Sequence, residues 1–273
     1  FFTRFATALA GRYRGGPAKV AIVSSALMGT VSGSAMGNVV ATGSFTIPLM
    51  KKTGYSSEFS GAVEAAASTG GQIMPPVMGA VAFVLAEYAG VSYRTVMTAA
   101  IIPAIIYFLA VFFMVDFRAV KLKLTGVPKE ELPDVWSELG KGGYLLLPLI
   151  VFILIITVFK KSIIMGAMVA IVLAIALSWI APLLIKTEAA KEGRVDFKRA
   201  GNALSAGAVG SMDAVAACGT AGIVVGVMSL TGLAQRLGSA VMELTHGNLP
   251  LTLVAVMVFC LILGMGMPTV PAY

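Results

Sequence analysis

The 273-residue chain has little of what a soluble enzyme or a metalloprotein needs: two cysteines, one histidine, and charged side chains at only 12% of positions. Cys218 and Cys260 lie in separate apolar stretches with no metal-ligand spacing around them, so both read as buried, inert thiols. With His246 the single histidine and neither H-E-x-x-H nor G-x-S-x-G present, no catalytic triad can be assembled, and an intramembrane enzyme is disfavoured. Charge this sparse falls far below the ~25% of ordinary soluble domains. Strand-like alternation in ~10-residue units is also missing, which argues against a membrane barrel.

What is present is apolar. Hydrophobic residues make up 58% of the chain and the mean hydropathy is +0.92. Several apolar runs have the roughly 17–25 residues a helix needs to cross a ~30 Å hydrocarbon core. The 30 Gly and 15 Met suit helices that approach closely through small residues. The expected fold is an all-α polytopic membrane protein. The chain opens on Phe1 and stops at Tyr273 inside an apolar segment, so it reads as an internal piece of a longer protein, and targeting signals are not at issue.

The net charge of +7 does not describe a nucleic-acid surface, because Lys and Arg flank the apolar segments and almost never enter them. Residues 1–16 are basic and Gly-rich. The apolar stretch 17–50 is too long for one simple span and suits a re-entrant hairpin. A broken helix is expected over 57–90, interrupted at Thr69-Gly-Gly-Gln-Ile-Met-Pro-Pro76, where the prolines remove amide donors. Freed backbone groups at that depth must face protein or a watery cavity. Plain spans follow at 95–115, 144–159, 163–185 and 203–230. A polar loop at 116–142, partly amphipathic around Val135-Trp136, and a charged loop at 186–199 separate them. Residues 233–246 have amphipathic helical spacing suited to the interface, and 249–273 forms the last apolar segment. With 17–50 returning to its own side, sixteen of the 20 Lys and Arg share one face and Arg94, Lys160, Lys161 and Arg236 the other, which places the first group in the cytoplasm.

Within 17–50, the run Gly29 to Gly43 sets Thr30, Ser32, Ser34, Asn38 and Thr42 in apolar surroundings, where a helix that merely spans lipid has no use for them. A second Gly/Pro/Thr tip, Gly264-Met-Gly-Met-Pro-Thr269, enters from the opposite side. Two similar elements entering oppositely are what an inverted-topology repeat predicts, with the binding site between them at the midplane. The first repeat would occupy 1–115, the cytoplasmic loop 116–142, and the second repeat 143–273, truncated within its own hairpin.

The string Ser32-Gly-Ser-Ala-Met-Gly-Asn38, with Thr42-Gly-Ser44, Ile47-Pro48, Gly54-Tyr55, the Glu64-Ala-Ala-Ala-Ser-Thr-Gly-Gly71 run and Pro75-Pro76, resembles the large membrane subunit of tripartite ATP-independent periplasmic (TRAP) transporters. The terminal Gly264–Tyr273 segment is similar to the second hairpin of fused permeases in that family. The resemblance implies an elevator-type secondary transporter of the bacterial or archaeal inner membrane. It further implies sodium coupling without another cofactor, an organic anion such as a C4-dicarboxylate, delivery by a periplasmic substrate-binding protein, and a small membrane subunit, separate or fused upstream. By position it points to Ser32, Gly33, Ser34, Asn38, Thr69, Gly70, Gln72, Gly264, Gly266, Pro268 and Thr269 for sodium. For substrate it points to Asn38, Thr42, Ser68, Pro75, Pro76 and Thr269.

Blander readings stand beside these. Gly29, Gly33 and Gly37 also spell overlapping G-x-x-x-G packing motifs, and Gly222 with Gly226 reads as packing alone. Lys51 and Lys52 read as topology anchors, and His246 before Gly247 as a helix C-cap. Gly264-Met-Gly-Met-Pro-Thr269 lacks the third glycine and the preceding strand of a dinucleotide loop. Glu64 and Asp213, the acids best placed within spans, keep open a proton-coupled or binding-protein-independent carrier of the same architecture. A purely structural membrane scaffold would have no need of two polar breaks.

Overall fold

A computed structural model describes residues 1–128, 130, 132–184 and 195–264. Among the described residues all regular structure is helical. Two compact units divide after Asp196.

The first unit begins with α1 (Phe2–Ala10), a short helix whose Ala6 and Ala10 bury against Val20. The expected hairpin follows as α2 (Gly16–Ser32) and α3 (Ala35–Lys52), joined by Gly33 and Ser34. Pro17 opens α2, where its missing N–H is harmless. Gly33 ends it in the left-handed region, with φ 60°. Ser34 then caps α3 by accepting from the Gly37 amide at 3.1 Å. At about 1.5 Å per residue each leg is roughly 25 Å long, short of the ~30 Å core.

The broken helix also forms. Helix α4 (Ser57–Gly70), capped by Ser56, runs into a 3-10 turn at Gly71–Ile73, and the chain then extends through the cis Pro75–Pro76 peptide to α5 (Val81–Tyr88). Helix α6 spans Tyr93–Lys121, six residues past the end expected at 115. The extension holds because Asp116, an acid that reads as loop in the sequence, is bound by Arg14 at 2.5 Å and Lys19 at 2.6 Å. Arg118 and Lys121 also suit the negative end of the helix. This clasp joins the hairpin's base to the end of α6. Ala18, Ala21, Met50, Val63, Ala67, Val115 and Ala119 pack around it as one cluster.

The loop after α6 gives way to α7 (Val135–Gly142), whose Glu138 pairs with Arg4 at 2.9 Å. A 3-10 turn at Gly143–Leu146 leads into α8 (Leu147–Thr157), and α9 (Ile163–Leu184) returns against it. Three stretches among the described residues are long and apolar enough to cross a membrane: Tyr93–Lys121, Val135–Thr157 and Ile163–Ile180.

The second unit consists of α10 (Phe197–Thr231), α11 (Leu233–Leu244) and α12 (Leu249–Gly264). His246 takes φ 49° and its amide reaches Glu243 O at 3.1 Å, the C-cap its neighbours suggested. Cys260 is exposed on α12, contrary to the expected burial. An apolar neighbourhood in sequence does not distinguish a helix face turned inward from one turned outward. The side chains of Asp213 and Cys218, and all of 265–273, lie outside the described residues.

Candidate functional site

Two breaks meet in the first unit. A Cβ at Gly33 would overlap the Met78 carbonyl oxygen, so the hairpin tip lies directly on the extended part of the broken helix. Gly79 completes the contact: its amide donates to Gln72 O at 2.7 Å, and a Cβ there would sit 3.3 Å from Gly33 O. Below the tip Gly29 packs on Gly71, where a Cβ at Gly71 would lie 3.0 Å from Gly29 Cα and 2.8 Å from Asn38 Nδ2. Glycine is thus required at 33 by both conformation and space, and at 29 and 71 by space alone. Close approach of the two elements, the packing reading of the glycine motif, is seen at both Gly29 and Gly33.

Asn38 is fully buried one turn into α3, and its Nδ2 donates to Ser25 O at 2.8 Å, tying the two hairpin legs together. Further down the same seam lies Glu64, also fully buried, from α4. Its carboxylate faces four hydroxyls from three helices. Thr42 and Thr46 make short hydrogen bonds to it, and Ser68 and Ser25 approach Oε1 at 3.2 and 3.4 Å. Thr42 and Thr46 can alternatively donate to the carbonyls four residues back, Asn38 O at 2.8 Å and Thr42 O at 3.0 Å. Each hydroxyl has a single proton, so it serves either the carboxylate or its own helix at any instant. No cation is paired with Glu64 among the described residues.

The break is held from the side by α6. Tyr93 Oη donates toward the carbonyls of Pro76 and Val77 at 2.9 and 2.5 Å, and Tyr107 Oη donates to Ala66 O at 2.8 Å. The ring of Tyr107 also faces Gly70.

The structure therefore brings together Gly33, Gln72 and the Met78–Gly79 segment around one junction, with Ser32 and Ser34 flanking Gly33 and Asn38 and Gly71 just beneath, while Pro75–Pro76 lies elsewhere in the same break, its Pro76 carbonyl held by Tyr93. Thr69 sits apart: it is exposed and its hydroxyl returns to Ala65 O at 2.7 Å. Thr42 and Ser68 belong to the Glu64 cluster rather than to the tip. Gly264 ends α12 at an exposed position, and Gly266, Pro268 and Thr269 lie outside the described residues. Ser25, Thr46 and Tyr93 were not singled out for the site from sequence. Thr46 could have been, since it shares an i, i+4 face with Thr42.

The whole of residues 1–273 matches the family described as tripartite ATP-independent periplasmic transporter, DctM component. Relatives include the C4-dicarboxylate TRAP transporter large permease protein DctM of Vibrio cholerae, 31% identical over 140 residues, which covers 51% of this chain and 30% of the relative. The sialic acid TRAP transporter permease protein SiaT of Haemophilus influenzae is 30% identical over 125 residues, 46% of this chain and 20% of the relative. An uncharacterized protein of Sinorhizobium fredii, y4mL, is 34% identical over 119 residues, 44% of this chain and 28% of the relative. The matched stretch spans less than a third of the length of each. With a hairpin and a broken helix abutting in an all-α membrane fold, and a family match from end to end, this chain belongs to the DctM component family of TRAP transporters.

Proposed function

We propose that this chain is the part of a TRAP large permease that carries its first hairpin, and that the Ser32–Ser34 tip with the Gly70–Gly79 break binds a coupling sodium ion and an organic anion. The observation that carries this reading is the packing of the tip on the break, where two interrupted helices bring hydroxyl and carbonyl oxygens and an amide-rich helix start to one place. Sodium is a hard cation and takes such oxygens without a fixed charge. The N-terminus of α3 offers amides and a positive dipole end to a carboxylate. The substrate would be a C4-dicarboxylate or another carboxylate, in line with the names of the relatives. A periplasmic binding protein would deliver it, a small membrane subunit would accompany the permease in the inner membrane, and an inverted second repeat would supply Gly264, Gly266, Pro268 and Thr269 to a matching site.

A proton-coupled carrier is the second reading, favoured by Glu64, an acid buried among four hydroxyls with no cation paired to it among the described residues. Uptake of labelled succinate or sialic acid by the full-length protein in proteoliposomes separates the two. The leading reading expects uptake that requires both an inward sodium gradient and the cognate binding protein. Uptake driven by a pH gradient and indifferent to sodium would replace it with the second.

A further inference from the structure

A cavity of about 390 Å³ lies between the start of α6 and the turn joining α8 to α9, and Ser92, Arg94, Thr95, Lys160, Lys161 and Ser162 line it. Three of the four cations that the charge distribution assigns to the outer side are thus in one place. No acidic residue lines the cavity among the described residues. The ion pairs found among the described residues, Arg4–Glu138, Arg14–Asp116 and Lys19–Asp116, involve none of the three.

Helix electrostatics do not account for the cluster. Arg94 occupies the first turn of α6, where a cation meets the positive end of the helix dipole. Lys160 and Lys161 suit the C-terminus of α8 but stand equally before the N-terminus of α9, which disfavours them. Lys160 also holds φ 51°, a left-handed conformation uncommon for a side-chain-bearing residue. Basic residues on the outer side run against the topological bias as well. The unbalanced charge calls for an anion, and Ser92 and Ser162, which cap α6 and α9, put hydroxyls on the cavity wall.

We propose that this cavity seats the phosphate of an anionic phospholipid headgroup in the outer leaflet. A lipid fits better than a water-soluble anion because the same turn turns apolar side chains outward. Val158, Phe159 and Ile164 are 63%, 65% and 75% exposed at the ends of two strongly apolar helices. A headgroup held by the cations lays its acyl chains along these side chains, from which inorganic phosphate or an acidic segment of a soluble protein gains nothing.

The test uses the full-length protein in neutral detergent and reads lipid retention by native mass spectrometry, with thermal unfolding in parallel. Phosphatidylglycerol is expected to bind on the order of 100-fold more tightly than phosphatidylcholine, the scale for three interfacial cations. The R94Q/K160Q/K161Q variant should lose that preference while melting normally in phosphatidylcholine. If the triple variant does not fold, K161Q alone should cut the preference severalfold. Equal retention of the two lipids, a preference that survives these substitutions, or equal protection by inorganic phosphate would each overturn the assignment.

Discussion

Helices α2–α4 and the pair α8–α9 solve the same solvent problem in opposite ways. The first region buries Ser24, Ser25, Asn38, Thr42, Thr46, Ser60, Glu64 and Ser68, whereas none of the buried polar side chains among the described residues lies on α8 or α9. In α8–α9 the contact is apolar, with Phe152 and Ile156 buried and Gly166 close to the Phe152 ring. Lipid tails are as apolar as leucine, so such a pair is held by close packing and gains little from hiding its surface. The hairpin region instead spends its interior on hydrogen bonds. The difference teaches where to look for function: polar groups at membrane depth are expensive, and they gather where two helices are broken.

That contrast can be broken or sharpened by substitution, from the largest effect to the smallest. Gly33→Val forces a side chain into both a left-handed backbone and the Met78 carbonyl. It should abolish uptake and cost roughly 3 kcal/mol in the unfolding of the full-length protein. Gly166→Ala in α9 meets only side-chain atoms of Phe152, the nearest 3.2 Å away, and of Ile156 at 3.5 Å, and should cost less than about 1.5 kcal/mol.

Glu64→Ala removes an acceptor shared by four hydroxyls, of which Thr42 and Thr46 can turn back to their own helix, and opens a void, which predicts a loss of about 2–3 kcal/mol by the same unfolding measurement. Glu64→Gln keeps the shape and one acceptor, and should recover at least half of that loss. If the two variants melt alike, the hydroxyl cluster is not what stabilises this seam.

Asn38→Ala removes the bond from its Nδ2 to Ser25 O and the longer one, 3.4 Å, that its Oδ1 accepts from Thr42. It should cost about 0.6–2 kcal/mol, the range for a hydrogen bond between membrane helices and for a buried polar group left unpaired. The control at the other end of the scale is Ile171→Ala on the exposed face of α9, expected within ±0.5 kcal/mol. A larger change there would mean that this face is covered by protein.

Much of this was legible in the sequence because breaks announce themselves. Gly33 beside two serines, and Gly70-Gly71 followed by Pro75-Pro76, cannot continue a helix comfortably, and the helices on either side of them run Gly16–Ser32, Ala35–Lys52, Ser57–Gly70 and Val81–Tyr88. Charge asymmetry did as well: Arg94 and Lys160–Lys161, assigned to one side by counting, line one cavity. What could not be read was partnership across the fold. Asp116 looked like loop until Arg14 and Lys19, about a hundred residues earlier, supplied its charge balance. Thr69 and Ser68 are neighbours in sequence with similar chemistry, but a helical step of about 100° sends one outward and the other to Glu64. Helix α1 also escaped notice, although Phe2, Phe5, Ala6 and Leu9 have the spacing of one apolar face.

The central claim is that the tip-and-break junction holds the coupling ion, and Ser32 tests it most directly. Its hydroxyl makes one weak local contact, accepting from the Ser34 amide at 3.4 Å, so Ser32→Ala removes an oxygen with little structural cost. Uptake by the full-length transporter in proteoliposomes, titrated with sodium, should then need at least about tenfold more sodium for half-maximal rate, a change of about 1.4 kcal/mol, with an unchanged melting temperature. A sodium dependence identical to that of the unaltered protein would contradict the claim.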